Sequence, residues 1–227
     1  MEAFALFEPY RTISKNVKDI SRYVAESIMN IYGVIVTVDL GKYYGLTAKQ
    51  VAKEVLLEYG LPEAEIDARL DRYMEDLAYS YYNVAWSDTV LVNDGARELI
   101  DELISRGVKV GIATGEAERV AKMRLEKAGL KDKFEFGSFG EADLNFDIII
   151  QKAKRSAAER YNILDENGTF LTNSVKEVQA AKKVSIYTIG VANDICSESD
   201  LAGAGADLVV KSLKEKGKII DGILRGE

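Results

Sequence analysis

The residues with chemical potential in this chain come in three small groups, each placed just after an apolar run. "FALF" at 4 to 7 is followed by Glu8, Pro9, Tyr10, Arg11 and Thr12. "VKVGIAT" at 108 to 114 delivers Thr114 and Gly115, and "GTFLTN" at 168 to 173 delivers Thr172, Asn173 and Ser174, with Glu177 one helical turn on. The chain contains no histidine, which removes Ser-His and Cys-His catalysis, imidazole metal ligands and an imidazole general base. What remains is the chemistry of carboxylates, hydroxyls, an amide and one guanidinium. Threonine, serine and asparagine are also ordinary helix caps, so each group taken singly has a purely structural reading. Convergence of the three in one place would make them a site.

The elements that must position them follow from the pattern. From residue 89 onward, short β-branched or aromatic runs alternate with helical periods. Strands are expected at 108–114, within 133–140, at 168–173, 185–192 and 207–210. Helices are expected at 117–130, 146–163, 175–184 and 197–205. Alternation of this kind predicts an α/β fold: a Rossmann-like parallel sheet covered on both faces. Ligands of such sheets bind beyond the carboxyl ends of the strands, where all three groups fall. Residues 14 to 88 contain no parallel-strand pattern. "NVKDISRYVAESIMNIYG" and "AKQVAKEVLLEYG" carry apolar residues at helical spacing and end at glycines, and "PEAEIDARLDRYMEDLAYSYYNV" opens with Pro62 and an acidic first turn. The organisation expected is therefore a core of 1–13 and 89–227 with an inserted helical cap at 14–88. Tyr73, Tyr79, Tyr81 and Tyr82 crowd the last of these helices, either as packing with wet hydroxyls or as a surface that covers a ligand or meets a partner.

Composition narrows the function classes. A net charge of −7 without a basic stripe argues against nucleic-acid binding, and the cluster "KSLKEKGK" at 211 to 218 reads as a solvated helix face. With no run of eighteen apolar residues and no basic-then-apolar leader, neither a membrane span nor an export signal is expected. The single cysteine, Cys196, leaves no internal disulfide and suits a reducing, cytoplasmic location. High Lys and Glu with few Gln is a thermophile-like composition.

Over nearly its whole length the sequence resembles the haloacid dehalogenase superfamily, in particular its phosphoglycolate-phosphatase-like branch with a helical cap. "VLVNDGARELIDELISRGVKVGIATGEAERVAKMRLEKAGLKDKFEFGSFGE" and "IGVANDICSESDLAGAGADLVVKSLKE" carry the likeness, the latter with Gly205, Ala206 and Asp207 in the usual place. The family's first motif is Asp-x-Asp-Gly-Thr, with the first Asp as nucleophile and the second as general acid and base. The resemblance sets Glu8 on the nucleophile, Tyr10 on the acid/base, Arg11 on the glycine and Thr12 on the threonine. Thr114, with Gly115, answers to the second motif. Asn145 is the best counterpart of the third-motif cation, Lys152 and Lys154 lying further along. In the fourth motif Thr172 replaces glycine, Asn173 the first Asp, and Glu177 the second. The resemblance thus implies Mg²⁺ as cofactor, held by Glu8, the Tyr10 carbonyl, Asn173 and Glu177, and Arg11, Thr12, Thr114, Gly115 and Asn145 around a phosphate.

The exchanges have physical consequences. Glutamate reaches about one methylene farther than aspartate, and a misplacement near 1 Å can cost roughly a hundredfold in an in-line attack. A phenol titrates near 10, so tyrosine is a poor base for activating water at neutral pH. Asparagine withdraws one anionic ligand from a hard cation, and loss of the third-motif cation removes charge stabilisation from a transferring phosphoryl group. An arginine where glycine is usual suggests a relaxed turn whose guanidinium pairs with Glu8 in place of a metal, or else lies in solvent or under the helical insertion. Glu116 and Glu118 read as first-turn carboxylates favouring the helix dipole, while adding negative potential beside the crevice. Three functions follow: a phosphatase-family protein with a degenerate, weakly active or inactive site that keeps a crevice for an anion or small phosphorylated molecule; an active Mg²⁺-dependent hydrolase working through Glu8; or a binding or scaffold protein, including a homo-oligomer, working through the tyrosine-rich cap.

Overall fold

The computed structural model describes residues 2–16, 20–85 and 89–225; positions 17–19 of the helical segment expected from Asn16, which itself ends β2, and the cap boundary at 88 lie outside them. The chain runs β1 (Phe4–Phe7), β2 (Ser14–Asn16), α1 (Ser21–Tyr32), α2 (Ala48–Glu58), α3 (Glu63–Asp67), α4 (Leu70–Ala85), β3 (Val90–Val92), α5 (Ala96–Ser105), β4 (Lys109–Ala113) and α6 (Glu118–Lys127). It continues through β5 (Phe136–Ser138), α7 (Phe146–Tyr161), β6 (Gly168–Thr172), α8 (Val175–Lys183), β7 (Tyr187–Val191), α9 (Glu198–Gly203), β8 (Leu208–Val210) and α10 (Lys216–Ile223).

Six parallel strands form the sheet, in the order β5-β4-β1-β6-β7-β8. All four residues of β1 are fully buried, because alternate side chains serve opposite faces. Ala5 and Phe7 join Leu99, Leu103 and Ile219 on one face, whereas Phe4 and Leu6 meet Ile150, Ala153 and Phe170 on the other. Strand order reverses at β1: the chain continues to β4 on one side and later returns to β6 on the other. That switch point opens a crevice at the carboxyl end of β1, where Glu8 stands.

Helices α1 to α4 lie between β1 and β3 in the chain and build their own apolar cluster around Ile28, Val55, Ile66 and Met74. This cluster extends onto Ala117, Val120 and Met123, so the helical segment packs on α6. Its entry and exit are tied together by a short antiparallel ribbon, β2 with β3, in which Ser14 faces Val92 and Asn16 faces Val90. Close backbone approaches fix the docking. Ala48 N donates to Gly115 O at 3.1 Å and Thr47 Oγ1 to Leu144 O at 2.8 Å. A Cβ on Gly115 would lie 2.6 Å from Thr47 Cα, and one on Gly45, whose φ is +79°, 1.9 Å from Ser174 Oγ.

Three expectations change. The helix expected over 62–84 is two helices, α3 and α4, broken at Ala68 and Arg69, with Ile66, Leu70 and Tyr73 all still directed inward. The basic stretch 211–218 is not one solvated face: α10 begins at Lys216, and Ile219, Ile220 and Ile223 bury its inner side. Lys214 pairs with Asp94 and Lys216 with Glu102. The crowded tyrosines do not share a surface either. Tyr73 and Tyr81 are buried, Tyr79 is 63% exposed, and Tyr82 lies under the Arg119 guanidinium at 3.8 Å. A helix turning 100° per residue separates position 79 from 73 and 81. Among the described residues no helix is long and apolar enough to cross a membrane.

Candidate active-site crevice

Pairing of β1 with β6 carries the chain directly into the site: Glu8 N donates to Leu171 O at 3.1 Å, and the Glu8 side chain turns inward, 4% exposed. Thr114, leaving β4, donates its hydroxyl to Glu8 Oε1 at 2.7 Å. Across the crevice Thr172, the last residue of β6, donates to Glu177 Oε2 in the first turn of α8. Two buried carboxylates are thus each oriented by a threonine at a strand end.

The turn after Glu8 keeps its tight geometry. Arg11 holds φ +63°, a left-handed conformation that disfavours a side chain. Hydrogen bonds offset the strain: Arg11 N donates to Ser14 O at 2.7 Å, and the Asn93 side-chain Nδ2 donates to the carbonyls of Arg11 and Thr12 at 2.6 and 2.9 Å. The expected relaxation of the turn is therefore not found, and neither is the expected Arg11–Glu8 pair. Arg11 reaches outward to Asp194 at 3.2 Å, with its guanidinium against the rings of Tyr10 and Tyr44.

A neutral network occupies the ground between Tyr10 and Asn173. Asn173 Nδ2 donates to the Tyr10 carbonyl at 3.3 Å, and Asn173 Oδ1 accepts from the Tyr44 hydroxyl at 2.6 Å. The orientation of this amide is forced, because a carbonyl can only accept. Asn193, after β7, donates to the Tyr44 hydroxyl at 3.1 Å and to Asn173 O at 3.2 Å. Its own Oδ1 accepts from Ile195 N and Cys196 N, both at 2.7 Å, which fixes the loop beyond.

The cation of the site is Arg124 of α6, completely buried. It forks onto Glu116, Nη2 to Oε1 at 2.5 Å and Nε to Oε2 at 3.1 Å, and lies 4.7 Å from the Tyr10 ring centre. Glu116 is thus a paired wall of the crevice rather than the dipole-facing carboxylate expected. Burial raises Glu8 well above the usual carboxylate range, the charges of Glu177 and Glu116 push it the same way, and Thr114 and Arg124 oppose them. Burial likewise lifts Glu177 to about 7, against the Thr172 hydrogen bond. Burial, then Glu177 and Glu8, holds the Tyr44 phenol protonated.

Glu8, Tyr10, Arg11, Tyr44, Glu116, Asn173 and Glu177 line one end of a cavity of about 510 Å³ between the sheet and helices α1, α2 and α4, with Arg124 and Asn193 behind them. Of the residues expected there, Glu8, Tyr10, Arg11, Gly115, Asn173 and Glu177 do line it. Thr114 stands behind Glu8. Thr12 is buried with an unpartnered hydroxyl, apart from the cavity wall. Asn145 is outside: it is exposed at the start of α7, where its backbone N–H bonds Asp143. Lys152 and Lys154 do not substitute: neither lines the cavity, and their ammonium groups bond the carbonyls of Ala142 and Val184. Arg124, Tyr44 and Asn193 join the residues that the sequence pattern points to. Arg124 was detectable as a charge on the apolar stripe Ala117–Ala121–Arg124–Ala128, and Asn193 by extending the strand-end rule to the strand at 185–192.

The sequence profile of the haloacid dehalogenase-like hydrolases matches residues 6–185. The chain belongs to that family. It is 27% identical over 197 residues to a phosphorylated carbohydrates phosphatase of Thermotoga maritima, covering 84% of each chain. In fold it matches the β-phosphoglucomutase of Clostridium difficile with a TM-score of 0.70 at 17% identity, over 98% of this chain and 97% of that one. A predicted phosphoglycolate phosphatase from Haemophilus somnus matches with a TM-score of 0.69 at 12% identity, over 96% and 98%. Against this background the fit of Mg²⁺, the family's usual ion, can be judged from the donors. Magnesium demands near-octahedral oxygens at about 2.0–2.1 Å. Here the Tyr10 carbonyl faces an amide N–H and the Asn173 oxygen is taken by a phenol. Among the described residues no three acidic or cysteine side chains gather where they could hold a metal ion. As arranged, these donors do not fit Mg²⁺.

Proposed function

We propose that this haloacid dehalogenase-like protein is a non-hydrolytic, small-molecule-binding member of its family. The observation that carries this reading is the hydrogen bond from Asn173 Nδ2 to the Tyr10 carbonyl. By resemblance these two positions face a common cation; here they bond to each other through a neutral amide. A metal entering between them would have to break that bond and the Tyr44–Asn173 bond together.

The remaining groups support the same reading. Burial favours the protonated forms of Glu8 and Glu177, and a protonated carboxyl is a poor nucleophile. Tyr10 stacks beneath Arg124 in the place of the acid/base carboxylate, and no lysine or arginine comes from the Asn145 region. What the site keeps is an oriented, enclosed crevice under the helical segment, which acts as its cap. The protein sits in the cytoplasm as a soluble binding module. The test is turnover of p-nitrophenyl phosphate and phosphoglycolate with Mg²⁺ or EDTA, in wild type and Glu8→Gln. We expect all eight rates at background. Metal-dependent turnover that disappears in Glu8→Gln would establish Glu8 as a nucleophile and end the non-hydrolytic reading.

A further inference from the structure

The cavity differs in character from a phosphate site. Beyond the sheet end its walls are aromatic and aliphatic, with Tyr23, Tyr43, Tyr73 and Tyr81 beside Val24 and Leu77. Tyr23 and Tyr81 meet edge to face at 5.7 Å, which gives a rigid ring surface. At the sheet end stand three carboxylates, Glu8, Glu116 and Glu177. Glu116 is matched by Arg124, and Arg11 at the margin is matched by Asp194. Glu8 and Glu177 have threonine hydroxyls as partners instead of cations. Tyr73 contributes a fully buried ring to this wall.

We infer that the crevice takes an organic cation with an apolar or aromatic body, an amine or quaternary ammonium, its charged head between Glu8 and Glu177 and its body against the tyrosines. The inference rests on the non-hydrolytic reading above and names the ligand class of that site. An ammonium head favours the ionised forms of Glu8 and Glu177 over the protonated forms that burial alone favours, while aromatic faces attract the same charge through their quadrupoles. A phosphate ester would instead bring a dianion beside the Glu116 carboxylate and two further acidic groups, with Arg124 and Arg11 already paired to Glu116 and Asp194. The volume of about 510 Å³ suits a body of one ring with a short chain.

The test is calorimetric titration at pH 7.5 with benzyltrimethylammonium, tyramine, benzyl alcohol and phenyl phosphate. The two ammonium compounds are expected to saturate the protein, each at least roughly tenfold tighter than benzyl alcohol, with phenyl phosphate not saturating. In the double variant Glu8→Gln/Glu177→Gln that tenfold advantage is lost. Leu77→Trp, which fills the cavity, abolishes binding while circular dichroism confirms folding. Equal binding of ammonium compounds and benzyl alcohol, tighter binding of phenyl phosphate, or no saturation by either ammonium compound would overturn the inference. Phosphatase rates on the same samples separate the two proposals. Background rates without ammonium binding defeat this inference alone; metal-dependent turnover defeats the non-hydrolytic reading whatever the titrations give.

Discussion

Replacing Arg124 by methionine will cost this protein about 3 kcal/mol of stability, at the lower end of what breaking a buried ion pair costs. Arg124 is fully buried and its partner Glu116 is only 17% exposed, so removing the guanidinium strands a carboxylate in the crevice wall. The stacking of the guanidinium on Tyr10 is lost as well. The lower end applies because Glu116 borders the cavity and can recover some hydration there. For a chain of this size such a loss lowers Tm by roughly 6–12 °C, at about 2–4 °C per kcal/mol. Glu116→Gln alone will also destabilise, because it takes from the buried arginine the carboxylate it forks onto. Urea denaturation of both single variants and the double variant checks the pairing: the double variant should lose markedly less than the sum. Additive losses would mean that the two residues act independently.

The second large effect is a pH dependence of unusual sign. A carboxylate paired with a cation titrates below its ordinary value and stabilises the fold as pH rises. Glu177 does the opposite, its burial carrying it to about 7 from an ordinary value of 4.5. Between those values the folded protein holds a proton that the unfolded chain has released. Its contribution is therefore fully present below pH 4.5 and lost as pH rises through about 7. At about 1.4 kcal/mol per unit, the loss comes to about 3 kcal/mol by pH 8. Glu8, raised for the same primary reason, acts in the same direction. Carboxylates paired with lysine or arginine, such as Glu58 and Glu102, oppose the trend at acid pH, so the informative quantity is a difference. The stability of Glu177→Gln minus wild type should grow by about 3 kcal/mol between pH 4.5 and 8. A constant difference across that range would show that Glu177 is ionised and compensated in the fold.

Much of this was legible in the sequence because burial writes itself into pattern. The fully buried β1 reads as an uninterrupted apolar run, and each later strand of the sheet was visible in the same way. Strand-end logic placed Glu8, Asn173 and Glu177 in one crevice without any contact being known. What the pattern could not give were features set by tertiary direction. The β2–β3 ribbon is three residues a side and consists partly of polar residues, so it leaves no period to read. Arg11 was expected to relax its turn, but Asn93, some eighty positions away, supplies the two bonds that hold it. The resemblance alone assigns Asn145 to the site, and local backbone geometry at the start of α7 leaves it outside. The tyrosines were seen as a cluster in sequence, whereas helical rotation distributes them between the cavity wall and solvent.

The central claim is that the Tyr10–Asn173 hydrogen bond stands where a metal would bridge, and direct titration of Mg²⁺ by calorimetry tests it most directly. Wild type should show no saturable heat at millimolar Mg²⁺, whereas the variant Glu8→Asp/Tyr10→Asp/Asn173→Asp, which restores the family's carboxylates, should bind. Saturable Mg²⁺ binding by wild type, lost in Asn173→Leu, would contradict the account: the amide would then be a metal ligand.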